Sequence, residues 1–292
     1  MSPFQAPPGG WPKDAKTGLL KKVALEGVPN PAAFYHLGVP KEYTPEKEWP
    51  LVVVLHGGPG GNADNLVTVF QGFYQQKGAI VVYPQALEKQ LLAWNYPEHG
   101  AYFLRIIRQV GKTYRIDPKR IYLVGHSMGG GGAWCMGAVL SDVWAGIGPL
   151  SGWYLATPRP PAEWLKEMPI YAIHGDKDPA VIPHNSQQAV QILTKLGAKT
   201  RTLKELPEAK DFGDASFIYR EMQGVGHDVF QPWKDRGGPE LARLSAWLLA
   251  HQRAHPADLT AAEKRLATWG KQFGWSLEGG PLGKYTDAQK GN

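Results

Sequence analysis

Ile121-Tyr122-Leu123-Val124-Gly125-His126-Ser127-Met128-Gly129-Gly130 is a short apolar run that stops at a serine set between glycines. It reads as a strand, a sharp turn and the start of a helix. Gly125 and Gly129 carry no Cβ, so an incoming strand and an outgoing helix can approach closely around Ser127. A serine at the tip of such a strained bend is exposed as a candidate nucleophile. The N–H of Met128 follows at a helix N-terminus, where orphan donors and the helix dipole favour a negatively charged oxygen.

Upstream, Leu51-Val52-Val53-Val54-Leu55 is a continuous apolar run of the kind expected of a strand buried on both faces, and it ends in the glycine-rich loop His56-Gly57-Gly58-Pro59-Gly60-Gly61. Strands are also expected at Phe34 to Val39, with another around Val23 to Leu25, and at Ile80 to Tyr83, Ile147 to Leu150, Ile170 to Ile173 and Phe217 to Glu221. Helices are expected at Leu66 to Gln76, Ala101 to Tyr114, Ser186 to Leu196 and Pro239 to His251. This alternation predicts an α/β fold, a mostly parallel central sheet with helices on both faces. Only about 18 residues separate the Ile147 and Ile170 strands, too few for a large cap domain.

The expected organisation is an extended Pro- and Gly-rich segment at 1–20, one catalytic domain at 21–255, and a helix (Ala261 to Phe273) with a polar tail at 256–292. The chain of 292 residues has a formal net charge of +6 without a basic block interleaved with aromatics, so no nucleic-acid partner is expected. No apolar run spans a bilayer and the N-terminus lacks the regions of a signal peptide. The expectation is a soluble protein without a membrane partner, cytoplasmic by default and secreted if an export signal has been removed. Cys135 is the only cysteine, which excludes an intrachain disulfide. No cluster of His, Cys and carboxylates has ligand spacing, so neither a metal nor a cofactor is expected. Oligomeric state is not legible.

A serine nucleophile needs a base, and the base needs a group that fixes its tautomer. In the strand-turn-helix arrangement the base follows the acid, which sets aside His36, His56, His99 and His126. His174 precedes the candidate acids, His184 lies beside them at a helix start, and His251 and His255 lie at or past the last core helix. His227, in the loop Gly224-Val225-Gly226-His227-Asp228, remains. Asp176 and Asp178 both sit just past the C-terminal end of the Ile170 strand, and spacing alone does not separate them.

With these motifs in place the chain resembles the α/β-hydrolases of the esterase, dienelactone hydrolase and feruloyl esterase type, including domains related to polyhydroxybutyrate depolymerases and prolyl oligopeptidases. The resemblance rests on Leu55-His56-Gly57-Gly58, Gly125-His126-Ser127-Met128-Gly129, His174-Gly175 with Asp178 and Val181, and Gly226-His227. It implies the α/β-hydrolase fold, Asp178 rather than Asp176 as the acid, and Gly58 as an oxyanion donor beside Met128. The expected activity is hydrolysis of small, aryl, or carbohydrate- or polymer-linked carboxylic esters. A peptidase of the prolyl oligopeptidase type and a non-catalytic binding member of the fold are the alternatives. Trp94 and Trp153 follow strands whose ends face Ser127, and both are expected to line the substrate pocket.

Overall fold

A computed structural model describes residues 3–230 and 238–276. Its nine strands form one sheet: β1 (Gly18–Ala24), β2 (Phe34–Val39), β3 (Trp49–Leu55), β4 (Ile80–Pro84), β5 (Ile116–His126), β6 (Gly146–Leu150), β7 (Ile170–Gly175), β8 (Thr200–Leu203) and β9 (Phe217–Met222). Their order across the sheet is β1-β2-β4-β3-β5-β6-β7-β9-β8. β1 and β2 pair antiparallel, as do β2 and β4, and every other pairing is parallel.

Alternation in the apolar strands builds two cores. Leu51, Val53 and Leu55 of β3 enter one, with Leu123 of β5, while Val52 and Val54 enter the other with Tyr122 and Val124. On the first face pack α2 (Pro97–Thr113), α3 (Met128–Val139) and α6 (Leu259–Gly270), and on the second α1 (Val67–Phe70) and α5 (Gly238–Ala250); α4 (His184–Lys195) follows β7. Strands covered on both faces have no solvent side, which is why they read as continuous apolar runs.

Two sequence expectations are corrected, and one strand is added. The helix expected over Leu66 to Gln76 is only the four residues of α1, followed by turns and a 3₁₀ segment at Gln75–Lys77. Val67, Thr68, Val69 and Gly72 are weak helix formers. Phe70 and Tyr74 bury their stacked rings through the turn instead, with centroids 5.9 Å apart. The last helix starts at Leu259 rather than Ala261, because Asp258 accepts hydrogen bonds from the N–H groups of Thr260 and Ala261 and caps it. The edge strand β8, of which Arg201 and Thr202 are exposed, was not anticipated.

The segment ahead of β1 is tied down: Trp11 donates its indole N–H to Gly111 O of α2 (3.0 Å), and Tyr114 donates to Lys16 O (2.8 Å). Between β6 and β7 the chain forms only a 3₁₀ turn at Ala162–Leu165, so no cap domain covers the sheet ends there. No described helix is long and apolar enough to cross a membrane. The polar tail expected beyond 276 lies outside the described residues.

Candidate active site

The strand order reverses direction between β3 and β5, and the loops leaving these two strands diverge at their C-terminal ends. That is the topological position at which open parallel sheets collect ligands. One loop is His56 to Gly61; the other is the turn at Ser127. Leu55 and Gly125 are register partners, so both loops start at the same height.

Ser127 has φ 60° and ψ −119°, a left-handed conformation rare for a side-chain-bearing residue. The turn is held because the Ser127 N–H donates to Leu150 O at 2.9 Å and Gly131 N–H donates to Ser127 O at 3.0 Å. Its glycines are required by close approach. A Cβ on Gly125 would lie 2.2 Å from Gly129 O, and one on Gly129 would lie 2.1 Å from Leu55 O. Gly130 is equally constrained, with Leu150 O 2.4 Å from its Cβ position. Much of the glycine run is thus the seat of α3 against the ends of β3 and β6.

The candidate acid and base arrive on two loops that are stitched together. Asp176 N–H donates to Met222 O and Lys177 N–H to Val225 O. Asp176 Oδ1 accepts from Gly224 N–H at 2.7 Å, so this carboxylate holds the loop that carries His227. Asp178 instead points to the imidazole: its Oδ2 lies 2.8 Å from His227 Nδ1, and His227 Nε2 lies 2.8 Å from Ser127 Oγ. A carboxylate only accepts, so Nδ1 carries the proton, and in the neutral ring Nε2 is free to accept from the serine hydroxyl. His126 donates from Nε2 to His227 O (3.0 Å), fixing the backbone of the same loop. Burial lowers the His126 pKa to about 4 despite that bond, so it is neutral near pH 7.

Asp178 has four partners. Oδ1 accepts from the N–H groups of Ala180 and Val181, both at 2.9 Å, and Oδ2 faces His174 Nε2 at 3.2 Å as well as His227. Burial raises its pKa, yet the donors from His174, His227 and Val181 together outweigh that and hold the carboxyl well below the usual range. His174 in turn meets Ser186 Oγ through Nδ1 at 2.7 Å, with Nε2 also 2.7 Å from Val181 O. Neither His174 nor Ser186 has any exposed surface, so this second serine–histidine contact is closed to a substrate. Sequence reasoning missed it. The available signal was a histidine at the end of an otherwise apolar buried strand, where a polar ring needs partners.

The loop after β3 packs against the serine turn: a Cβ on Gly58 would be 3.0 Å from Met128 Cε, and one on Gly57 would be 3.3 Å from Ser127 Cβ. Trp153 is partly exposed and borders a cavity of about 10 Å³ with Asn95, Trp134 and Tyr154, room for one water and not for a ring. Trp94 is not at the rim. It is wholly buried, and its indole N–H donates to His56 O at 2.9 Å. An aromatic just after a strand fits the core as well as the rim, and here the hydrogen bond draws it inward. Among the described residues no group of three His, Cys, Asp or Glu side chains could hold a metal ion.

A feruloyl esterase module from Clostridium thermocellum, solved with sinapinate, superposes with a TM-score of 0.56 over 87% of this chain and 94% of the other, at 17% identity. The chain has the α/β-hydrolase fold. Residues 101–227 match the phospholipase/carboxylesterase family. Within the hydrolase fold, the chain is 28% identical over 146 residues to a bifunctional acetylxylan esterase/xylanase from Neocallimastix patriciarum, covering 49% of this chain and 21% of that protein. It is 27% identical over 142 residues to a poly(3-hydroxybutyrate) depolymerase from Ralstonia pickettii, covering 42% and 29%. The chain thus spans well under half the length of these relatives.

Proposed function

We propose that the protein hydrolyses carboxylic esters, with Ser127 as nucleophile, His227 as general base and acid, and Asp178 orienting His227. The observation that carries this reading is the relay of two 2.8 Å contacts from Asp178 through His227 to a serine held at φ 60°. His227 Nε2 takes the Ser127 proton as Oγ attacks the ester carbonyl. The oxygen that becomes negative is held by the N–H groups of Gly58 and Met128. Collapse of the tetrahedral adduct expels the alcohol, which leaves with the proton from His227, and an acyl-enzyme remains. Water, deprotonated by the same histidine, then releases the acid.

The relatives named for acetylxylan and poly(3-hydroxybutyrate) support esters attached to carbohydrate or polymer, and the absence of a cap between β6 and β7 suits bulky substrates. In this reading Trp153 lines the substrate path and Trp94 does not. The test compares p-nitrophenyl acyl esters, methyl ferulate and an acetylated sugar, with Ser127→Ala as control. Hydrolysis that disappears in the variant supports the assignment, and the preferred ester narrows the class. Cleavage of a prolyl peptide with no ester turned over would move the protein to a peptidase, and no turnover of either to a binding role.

A further inference from the structure

Trp94 lies in a 3₁₀ turn, Ala93–Asn95, two loops away from the serine turn in sequence, and exposes no surface. Its N–H donates to His56 O, and its ring packs edge-on against the imidazoles of His56 (centroids 5.1 Å, 69°) and His99 (5.0 Å, 74°). The His56 ring is fully assigned by its partners. Ala86 N–H meets Nε2 at 3.2 Å, and an amide N–H can only donate, so Nε2 is bare. Burial lowers the His56 pKa, so the ring is neutral and its proton sits on Nδ1, 2.6 Å from Gly57 O.

That bond fixes more than a carbonyl. In a trans peptide the C=O and the following N–H point in opposite directions within one plane. The described cis bonds precede Pro59 and Pro158, so the Gly57–Gly58 bond is trans. Holding Gly57 O therefore aims Gly58 N–H. His56 holds that oxygen only while its own ring and main chain are held; Ala86 N–H holds the ring at Nε2, and Trp94 packs on the ring and holds the main-chain carbonyl.

The space that Trp94 occupies exists because position 132 is glycine. A Cβ there would lie 2.4 Å from Trp94 Cβ and 3.0 Å from its Cγ. The neighbouring Gly131 is different, since its Cβ would find nothing closer than 3.6 Å.

We propose that Trp94 is a positioning residue for the Gly58 oxyanion donor, acting through His56, and that Gly132 is the glycine that admits it. The proposal rests on the reading of Gly58 as a donor in ester hydrolysis. Three readouts separate them. Trp94→Phe keeps a buried ring and deletes the N–H; 3-benzothienylalanine at position 94 keeps the full indole shape without it, and serves if the phenylalanine variant misfolds. In each, the downfield proton resonance of His56 Nδ1–H is expected to shift or exchange faster. kcat for a p-nitrophenyl ester is expected to fall about 10- to 100-fold with KM nearly unchanged. Affinity for an arylboronic acid, whose serine adduct places an oxygen in the oxyanion position, is expected to fall with it. Gly132→Ala should follow the tryptophan variants, and Gly131→Ala should leave the His56 Nδ1–H resonance where it is in the parent. An unmoved Nδ1–H resonance in a folded variant would overturn the positioning role whatever the activity. A resonance that moves while kcat and boronate affinity stay at the parent values would overturn Gly58 as donor, and the proposal with it.

Discussion

Asp178 stands between two serine–histidine pairs of nearly equal geometry. His227 meets Ser127 at 2.8 Å on one side, and His174 meets Ser186 at 2.7 Å on the other. Hydrogen-bond lengths therefore do not distinguish a nucleophile from a structural hydroxyl. Access and backbone do. The His227 side chain is 26% exposed and Ser127 sits at a left-handed bend at the N-terminus of α3. His174 and Ser186 are sealed, and Ser186 is the third residue of α4 in ordinary helical surroundings. The shared carboxylate meets an accessible histidine on one side and a sealed one on the other.

The most direct way to break this comparison is to delete each hydroxyl. Ser127→Ala is expected to lower kcat on the order of 10³-fold or more, because the covalent route is lost. Ser186→Ala is expected to stay within about tenfold of the parent, since only the orientation of His174 is affected. Stopped-flow release of p-nitrophenol measures both. Comparable losses in the two variants would mean that the buried pair takes part in turnover.

A smaller effect is expected one bond further in. His174→Leu removes a donor to Asp178 Oδ2 and leaves the His227 contact in place. kcat is expected to fall about tenfold with KM retained, against a loss on the order of 10³-fold for His227→Ala. A His174 variant as inactive as the His227 variant would reverse the assignment of the two histidines.

These contrasts also mark what could be read in advance. Ser127 and His227, which the structure brings to 2.8 Å, could be singled out because glycines lie close to both and chain order left few candidates. Asp176 and Asp178 were not separable by spacing, because the direction of a loop carboxylate depends on turn geometry: one accepts from Gly224 N–H and the other faces His227. The core strands showed as apolar runs, whereas β8, polar and at an edge, carried no such signal. Trp94 and Trp153 looked alike, each an aromatic shortly after a strand. Only the packing at Gly132 and the bond to His56 O sent one inward. The need for glycine at Gly129, Gly130 and Gly132 was not legible, since the groups that close upon them come from distant parts of the chain.

Acid should expose the cost of building the accessible side. His126, which holds the His227 main chain, has its pKa lowered by burial to about 4, below an unfolded value of 6.5. Between those values the unfolded chain binds more protons at this site than the folded one. The site's contribution is therefore complete above about pH 6.5 and is lost as pH falls toward 4, up to about 3 kcal/mol in all. Urea unfolding at pH 7 and pH 4.5 is expected to show a steeper loss in the parent than in His126→Asn. Parallel losses would mean that other groups, His99 with its pKa lowered to about 3 among them, dominate.

The last contrast lies within the helix that presents Ser127, and it is the smallest. Gly130 and Gly131 are adjacent, both buried, and equally poor helix formers. A Cβ at 130 would lie 2.4 Å from Leu150 O, a backbone atom held in the sheet, so Gly130→Ala must displace β6 or α3. That overpacking is expected to cost about 1–3 kcal/mol. At 131 the added methyl meets Asn95 Oδ1 and Trp153 O at ordinary contact distance, 3.6 Å. Nothing then opposes the helix propensity of alanine, and Gly131→Ala is expected to stabilise the fold by about 0.5–1 kcal/mol. Thermal melts of the two variants against the parent should therefore move in opposite directions. If both fell, the loops around α3 would be more tightly closed on Gly131 than its 3.6 Å clearances indicate, and the whole run, rather than three of its four glycines, would be the seat of the nucleophile helix.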